Sequence, residues 1–597
     1  MGPSFPAAKI PFESGRARSR SGQMQLIFLI GLASLYCLAY LSIGFLPGNS
    51  PYPLGWWGWW DQSQYLKSAL AFGRWDLDPT QHWYPLTYSL VAGAFSRFQP
   101  YHAFFFVNVV SFVAMAWLMM QLAKELGVSA LGGAAAFLVG AVFPAVLLAQ
   151  YIVPWTTTPV AALYIAVILT YVIALREGFT SRRVALITVF VALVAAFRPV
   201  DVAPLLPIAL HVAWRTVSPG GPAAPITQRL LVPALAGGAV LAAYLGLHVA
   251  IYGLRPSVYM QQSSVLGLDP GIIPFRYAVI FGNPRPFFGE GTGLLERYPL
   301  MSIGLWALVY LTFWVRSIFA VTAAIWISFM LYLAYPDFLP SGVWRYLNIH
   351  YWKWLFPVLA VLTLVALRDA WTKRRHLAVL VSVALTAPLV IASLKADASA
   401  PKDTQIRGQE IRLVADHPVA VAAIRLKGVE GGDFETYFGD HQLTLGSRSL
   451  RHIADFRMMR VADEVFVVPN RPLEASEALL VLDPRLAITS AFQASLIQPK
   501  LGLRNPFRSR LSEADRLIPW RAMPKADQKC AKETARTDVY PSSDGEFINL
   551  AYVALLGRLP DAESFINSCD AVVSGRLKRG ELIQTILKSP EYSARSK

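Results

Sequence analysis

The sequence predicts an α-helical polytopic membrane protein that ends in an extracytoplasmic β-rich segment and a small helical domain. Three observations predict it. The 597-residue chain is 55% hydrophobic and only 15% charged, which is not the balance of an ordinary soluble protein. Apolar runs near the roughly 20 residues that cross a bilayer recur between 25 and 395. After 396 the pattern changes to short alternating runs, and from 540 to helical periodicity.

The runs lie at 25–46, 103–123, 130–150, 156–175, 229–252, 299–315, 317–335, 352–370 and 376–395. The tract 184–214 is interrupted by Arg198-Pro199 and Asp201. As one helix it would bury two charges at mid-membrane. As two short helices meeting at a polar turn, it lines a cavity. The second reading gives about eleven spans.

Charge placement agrees. Residues 1–24 form a basic cytoplasmic tail with Lys9, Arg16, Arg18 and Arg20. Alternate counting from that tail puts Lys124, Arg176, Arg182, Arg183, Arg215, Arg229, Arg316 and Lys373–Arg375 inside, as the positive-inside rule requires. One unbroken span at 184–214 would place Arg316 and Lys373–Arg375 outside. The loops 47–101, 253–298 and 336–351 then face out, with everything after 396. The formal charge of +16 therefore reflects membrane topology rather than a nucleic-acid partner. The first run is too long for a cleaved signal peptide, and no small-residue cleavage site follows it. No internal repeat is visible in the sequence.

The first outer loop carries the chemistry. Gly55-Trp-Trp-Gly-Trp-Trp-Asp61-Gln62 puts a carboxylate behind four tryptophans, residues that favour the water–lipid boundary. From Asp61 to Phe72 the spacing predicts an amphipathic interfacial helix, with Asp61, Tyr65 and Ala69 on one face. Asp76, Asp78, His82 and the run to Tyr88 follow, Tyr84-Pro85 among them. Against a catalytic Asp61 stands the plain reading of a helix cap with tryptophan anchors. Several acids in one short loop weigh against that reading. Arg198, Arg345, His350 and Lys353 fall on the same outer face, where cations can hold a phosphate or simply anchor head groups. An Arg beside Asp201 inside an apolar tract is costly without a purpose. The loop 253–298, with several Gly and Pro residues, reads as a structural linker.

Residues 1–395 resemble the GT-C superfamily of multi-span glycosyltransferases that use polyprenyl-phosphate sugars. The resemblance rests on a basic tail, one span, the early Asp61-Gln-Ser-Gln-Tyr-Leu-Lys-Ser-Ala and Tyr84-Pro-Leu-Thr-Tyr. It continues through the Arg198-Pro199 turn and Arg345-Tyr-Leu-Asn-Ile-His-Tyr-Trp-Lys-Trp-Leu-Phe-Pro357. It implies transfer of a sugar, with inversion, from a polyprenyl-phosphate donor to a glycan, lipid or protein acceptor. Asp61 would be the general base, and Arg198, Arg345, His350 and Lys353 would hold the donor phosphate. Trp60, Tyr65, His82, Tyr84 and Asp201 would line the substrate. Many members carry an Asp-Glu pair where this chain has Asp61-Gln62, so Asp76 and Asp78 are the candidates for the second acid. No cofactor is required, although paired acids can recruit a divalent metal. The expected location is a bacterial inner membrane. A flippase or transporter of a lipid-linked sugar is the alternative, since it too wants charges at a helix break. A non-catalytic anchor for the tail domains leaves Arg198 and Asp201 unexplained.

Between 396 and 530, Ile411-Arg-Leu-Val, Val419-Ala-Val-Ala-Ala-Ile-Arg-Leu, Gln442-Leu-Thr-Leu and Glu464-Val-Phe-Val-Val predict a small β-sandwich, a carbohydrate-binding module or a spacer. In 540–597, Phe547, Leu550, Ala551, Ala554 and Leu555 share one helix face, and Ile583, Ile586 and Leu587 another. The run Leu556-Gly557-Arg558-Leu-Pro-Asp561 resembles the turn of a small helical domain of unknown function found on bacterial surface proteins. Cys530 and Cys569 fall in this outer region, where a disulfide is chemically permitted.

Overall fold

The computed structural model describes residues 15–218, apart from 48, 50–54 and 59, then 226–391 with gaps around 258–269, 286–290 and 336–348. It also describes strands between 398 and 482, and parts of 548–595, but no side chain between 389 and 547. Seven described helices are long and apolar enough to cross a membrane, or up to eight if one sharply bent pair counts as a span. The chain divides into two compact units. One holds residues 1–253, 315–321 and 352–374, and the other the remainder.

The first unit contains α1 (Gly15–Ser42), α2 (Trp60–Gly73), α3 (Leu86–Ser96), α4 (Ala103–Glu125), α5 (Ala130–Phe137), α6 (Ala145–Ile152) and α7 (Thr157–Glu177). After these come α8 (Ser181–Phe197), α9 (Leu206–Val217), α10 (Ile226–Tyr252) and the helix Leu355–Thr372. The expected break in 184–214 is present. Helix α8 stops at Arg198, whose extended backbone (φ −154°, ψ 95°) cannot continue it, and a short 3₁₀ turn from Pro199 to Leu205 leads into α9.

Three expectations change. The run 130–150 is not one straight span: α5 passes into a π turn over Leu138–Val142, and α6 leaves at 83°. Pro144 is the cause, because it has no N–H to donate and starts α6 afresh. The helix carrying Asp61 does form, but it is embedded rather than lying on a surface. Gln62, Tyr65, Leu66, Ser68, Ala69, Ala71 and Phe72 are all buried. It packs on α3 through small residues; a Cβ at Gly93 would come within 2.7 Å of Phe72 Cβ. Of the four tryptophans before Asp61, Trp56 and Trp57 are likewise inside. Trp56 is wholly buried with its ring 5.7 Å from that of Tyr40, and Trp57 Nε1 donates to Tyr101 O at 3.2 Å. Among the described residues, Ser181–Phe197, Pro299–Trp314 and His376–Ile391 are shorter than the seven or eight candidate spans.

In the second unit, Arg276 is fully buried and donates to the carbonyls of Leu333 and Tyr335, at the end of the helix Phe319–Ala334. Strands β1 (Ala398–Ser399), β2 (Asp403–Arg407), β3 (Glu410–Lys427), β4 (Phe434–Phe438), β5 (Gln442–Leu443), β6 (Ser447–Leu450), β7 (Ile453–Pro469) and β8 (Glu477–Leu482) pair antiparallel. Their path runs β1-β8-β3-β7-β4-β5. The two runs expected as separate strands, 411–414 and 419–426, are one strand, β3. Its register against β7 shifts between Val414 and Val419, across Pro418, which lacks a ladder N–H. At the C-terminus, Ile548, Ala551, Leu555, Phe565, Ile583 and Ile586 form a small helical core, which includes the described members of both expected faces. Gly557, Arg558, Asp561 and Cys530, with the Cys569 side chain, lie outside the described residues.

Candidate functional site

The site is built on the first unit. Because α2 begins at Trp60, Asp61 stands in its first turn, where the helix dipole favours negative charge. Tyr84 donates its hydroxyl to Asp61 Oδ1 at 2.5 Å. The Tyr84 ring lies 4.7 Å from that of Tyr65, which is itself buried against Tyr88 and Phe104. Gln62, 1% exposed, sends Nε2 to Pro154 O at 3.1 Å.

Pro154 belongs to the corner between α6 and α7. The last carbonyls of any α-helix lack intrahelical partners, and here side chains from other segments supply them. Lys353 Nζ donates to Gln150 O (2.7 Å), Tyr36 Oη to Tyr151 O (3.0 Å) and Asn108 Nδ2 to Ile152 O (3.4 Å). Lys353 is fully buried just before the helix Leu355–Thr372. Its ammonium also donates to Thr158 Oγ1 at 2.6 Å and lies 4.9 Å from the centre of the Tyr151 ring. Lys353, Tyr36 and Asn108 thus satisfy carbonyls that the end of α6 leaves without intrahelical partners.

Arg198 reaches the far side of the same corner. Its Nη1 donates to Thr156 Oγ1 at 3.0 Å, and its Nε to Asp201 Oδ2 at 3.0 Å. The Arg198 and Asp201 side chains are 12% and 4% exposed. Tyr164 donates to the Asp201 backbone carbonyl at 2.5 Å. The segments bearing Asp61, Arg198, Asp201 and Lys353 thus converge on residues 150–158.

Other expected site residues sit elsewhere. Asp78 is exposed and caps the turn Pro79–Gln81; the Thr80 N–H, at 2.8 Å, holds its carboxyl below the usual carboxylate range. Asp76 Oδ1 accepts from the Asp78 N–H at 3.0 Å. Both carboxylates shape the loop. His82 is 1% exposed, between Ser68 Oγ (2.8 Å from Nδ1) and Asp76 O (2.9 Å from Nε2). A carbonyl can only accept, so Nε2 carries the proton and, in the neutral ring, Nδ1 accepts from Ser68. Burial lowers the His82 pKa. His350 belongs to the second unit, buried with its ring 4.0 Å from that of Tyr351. Arg345 and the Trp60 side chain lie outside the described residues. Among the described residues, no group of three or more His, Cys, Asp or Glu is placed to hold a metal ion.

Sequence reasoning noted Gln62 only as a departure from an Asp-Glu pair, and passed over Thr156, Thr158, Tyr36 and Asn108. One signal was available: Pro154-Trp-Thr-Thr-Thr-Pro159 is a polar run between prolines inside an apolar stretch. Compared with known protein families, curated proteins and solved structures, the chain matches none. The fold and the site define a membrane-embedded helical protein with a buried, charged corner.

Proposed function

We infer that the chain is a membrane glycosyltransferase moving a sugar from a polyprenyl-phosphate donor to an outer glycan, lipid or protein acceptor. The supporting observation is the convergence of an acid-bearing helix start and two basic side chains on the corner 150–158. In this reading Asp61 accepts the acceptor's hydroxyl proton, and the freed oxygen bonds to the anomeric carbon. The bond from that carbon to the phosphate oxygen breaks, and the polyprenyl phosphate leaves with the electron pair. Arg198 meets the phosphate. Lys353, fully buried, keeps the corner in shape behind it. Attack opposite the leaving phosphate gives inversion. The location expected is a bacterial inner membrane with the tail outside, where the β-rich segment would hold glycan or act as a spacer.

Transfer by the purified full chain in lipid discs, with radiolabelled donor, tests this. Asp61→Asn should cut the rate by at least about 10²-fold, the scale of a positioned base, while donor binding stays intact. A second reading has its own support, since two broken helices, at 143–144 and at Arg198, are also the devices of transporters. Lipid-linked sugar crossing the bilayer without transfer would select a flippase.

A further inference from the structure

Gln62 stands beside Asp61 in the first turn of α2, and its side chain is tied to another segment. Its amide nitrogen donates to Pro154 O at 3.1 Å, and its side chain is buried. Two residues along, Thr156 Oγ1 accepts from Arg198 at 3.0 Å. Consecutive Cα atoms are about 3.8 Å apart, so those of Pro154 and Thr156 are at most about 7 Å apart. A single short stretch, through the Pro154 carbonyl and the Thr156 hydroxyl, therefore holds both the turn that carries Asp61 and the guanidinium of Arg198. That stretch is itself fixed by Lys353, Tyr36 and Asn108 on the three preceding carbonyls. Only a donor serves at position 62, because an ionised carboxylate facing a carbonyl has nothing to give.

We propose that Gln62 is a positioning residue that clamps α2 to the 154–156 corner and so sets the spacing between Asp61 and Arg198. The proposal rests on the transfer reading above. Losing the clamp keeps both the carboxylate and the guanidinium in the chain but lets their separation drift, and a misplacement of about 1 Å can cost on the order of 10²-fold in rate.

Steady-state transfer by the full chain in lipid discs tests it with Gln62→Met, Gln62→Glu, Thr156→Val and the pair Gln62→Met/Thr156→Val. The expected result is a fall in kcat on the order of 10²-fold for both Gln62 variants, with donor KM within about twofold of the wild type. The pair should be little worse than the more damaging single change, because both act through one corner. Thr156→Ser, which keeps the hydroxyl, should recover most of the rate lost in Thr156→Val. If Gln62→Met yields no folded protein, Thr156→Val and Gln62→Asn carry the same comparison. Additive losses, or an unchanged kcat per folded molecule, would overturn the clamp while leaving transfer standing. A wild type that binds donor but never transfers would overturn the transfer reading and the clamp with it.

Discussion

Tyr84 makes the contact to Asp61 that sequence reasoning brought nearest to view, since both residues stood out in one loop. What it could not give was the bond, which depends on Pro85 starting α3 where it does. A hydrogen bond to a charged group is worth about 1.5–3 kcal/mol, so Tyr84→Phe should lower kcat by roughly tenfold or more without changing the folded yield. Gln62 was legible only as an absent acid, because a side chain's partner across 92 residues leaves no mark on local pattern. His82 yields a prediction about pH. Burial lowers its folded pKa below the unfolded value of about 6.5, so the unfolded chain binds the extra proton first. The stability that neutral His82 contributes is present above about pH 6.5 and is lost as pH falls through the folded pKa. Apparent melting temperature in lipid discs should therefore drop over that window, and the drop should shrink in His82→Gln. The charged groups bearing on the ring are Asp76, Asp78 and Lys67.

Two helix breaks show which element-scale features a sequence reveals. The break at Arg198 was legible because charges interrupt an apolar run, and a buried pair on a straight helix would be costly. The break at Pro144 carried no charge, and proline alone is tolerated in membrane helices, so the run read as continuous. Its shape depends on Gly140: a Cβ there would lie 2.4 Å from Pro357 N and 2.5 Å from Pro357 Cα. That close approach brings the start of the helix Leu355–Thr372, and Lys353 before it, against the π turn. Gly140→Ala must push backbone from backbone, and overpacking of this kind costs about 1–3 kcal/mol. The melting temperature should fall, and Tyr151 should lose its contact with the ammonium. At the other break, Arg198→Met leaves Asp201 buried without its ion-pair partner. That should destabilise by about 3–5 kcal/mol, whereas adding Asp201→Leu should recover much of the loss. Denaturation of the single and paired variants separates a charge effect from lost packing.

For the whole molecule, topology follows from how many times the chain crosses, and that number turns on these same breaks. Composition and run length made the membrane class plain, and the tail's change of pattern was equally legible. Sheet order was not, because pairing of β3 with both β7 and β8 is set by contacts 28 or more residues away. If Arg198 marks a turn between two crossings, the α7–α8 loop and the C-terminal helices lie on opposite sides of the membrane. Single cysteines placed at Arg182 and Ser574, both exposed, in a chain otherwise freed of Cys37, Cys530 and Cys569, report this directly. With a membrane-impermeant thiol reagent on intact cells or spheroplasts, Ser574→Cys should label at once, and Arg182→Cys only after permeabilisation. Labelling of both only after permeabilisation would take away one crossing, as a single span at 184–214 does, and with it the outer placement of the C-terminal segment; labelling of both on intact cells would take the α7–α8 loop out of the cytoplasm. A reversed pattern would invert the whole chain and turn the corner at 150–158 toward the cytoplasm. The proposed outward-facing transfer site requires the first outcome, since in that reading Asp61 follows the first span out of a basic tail.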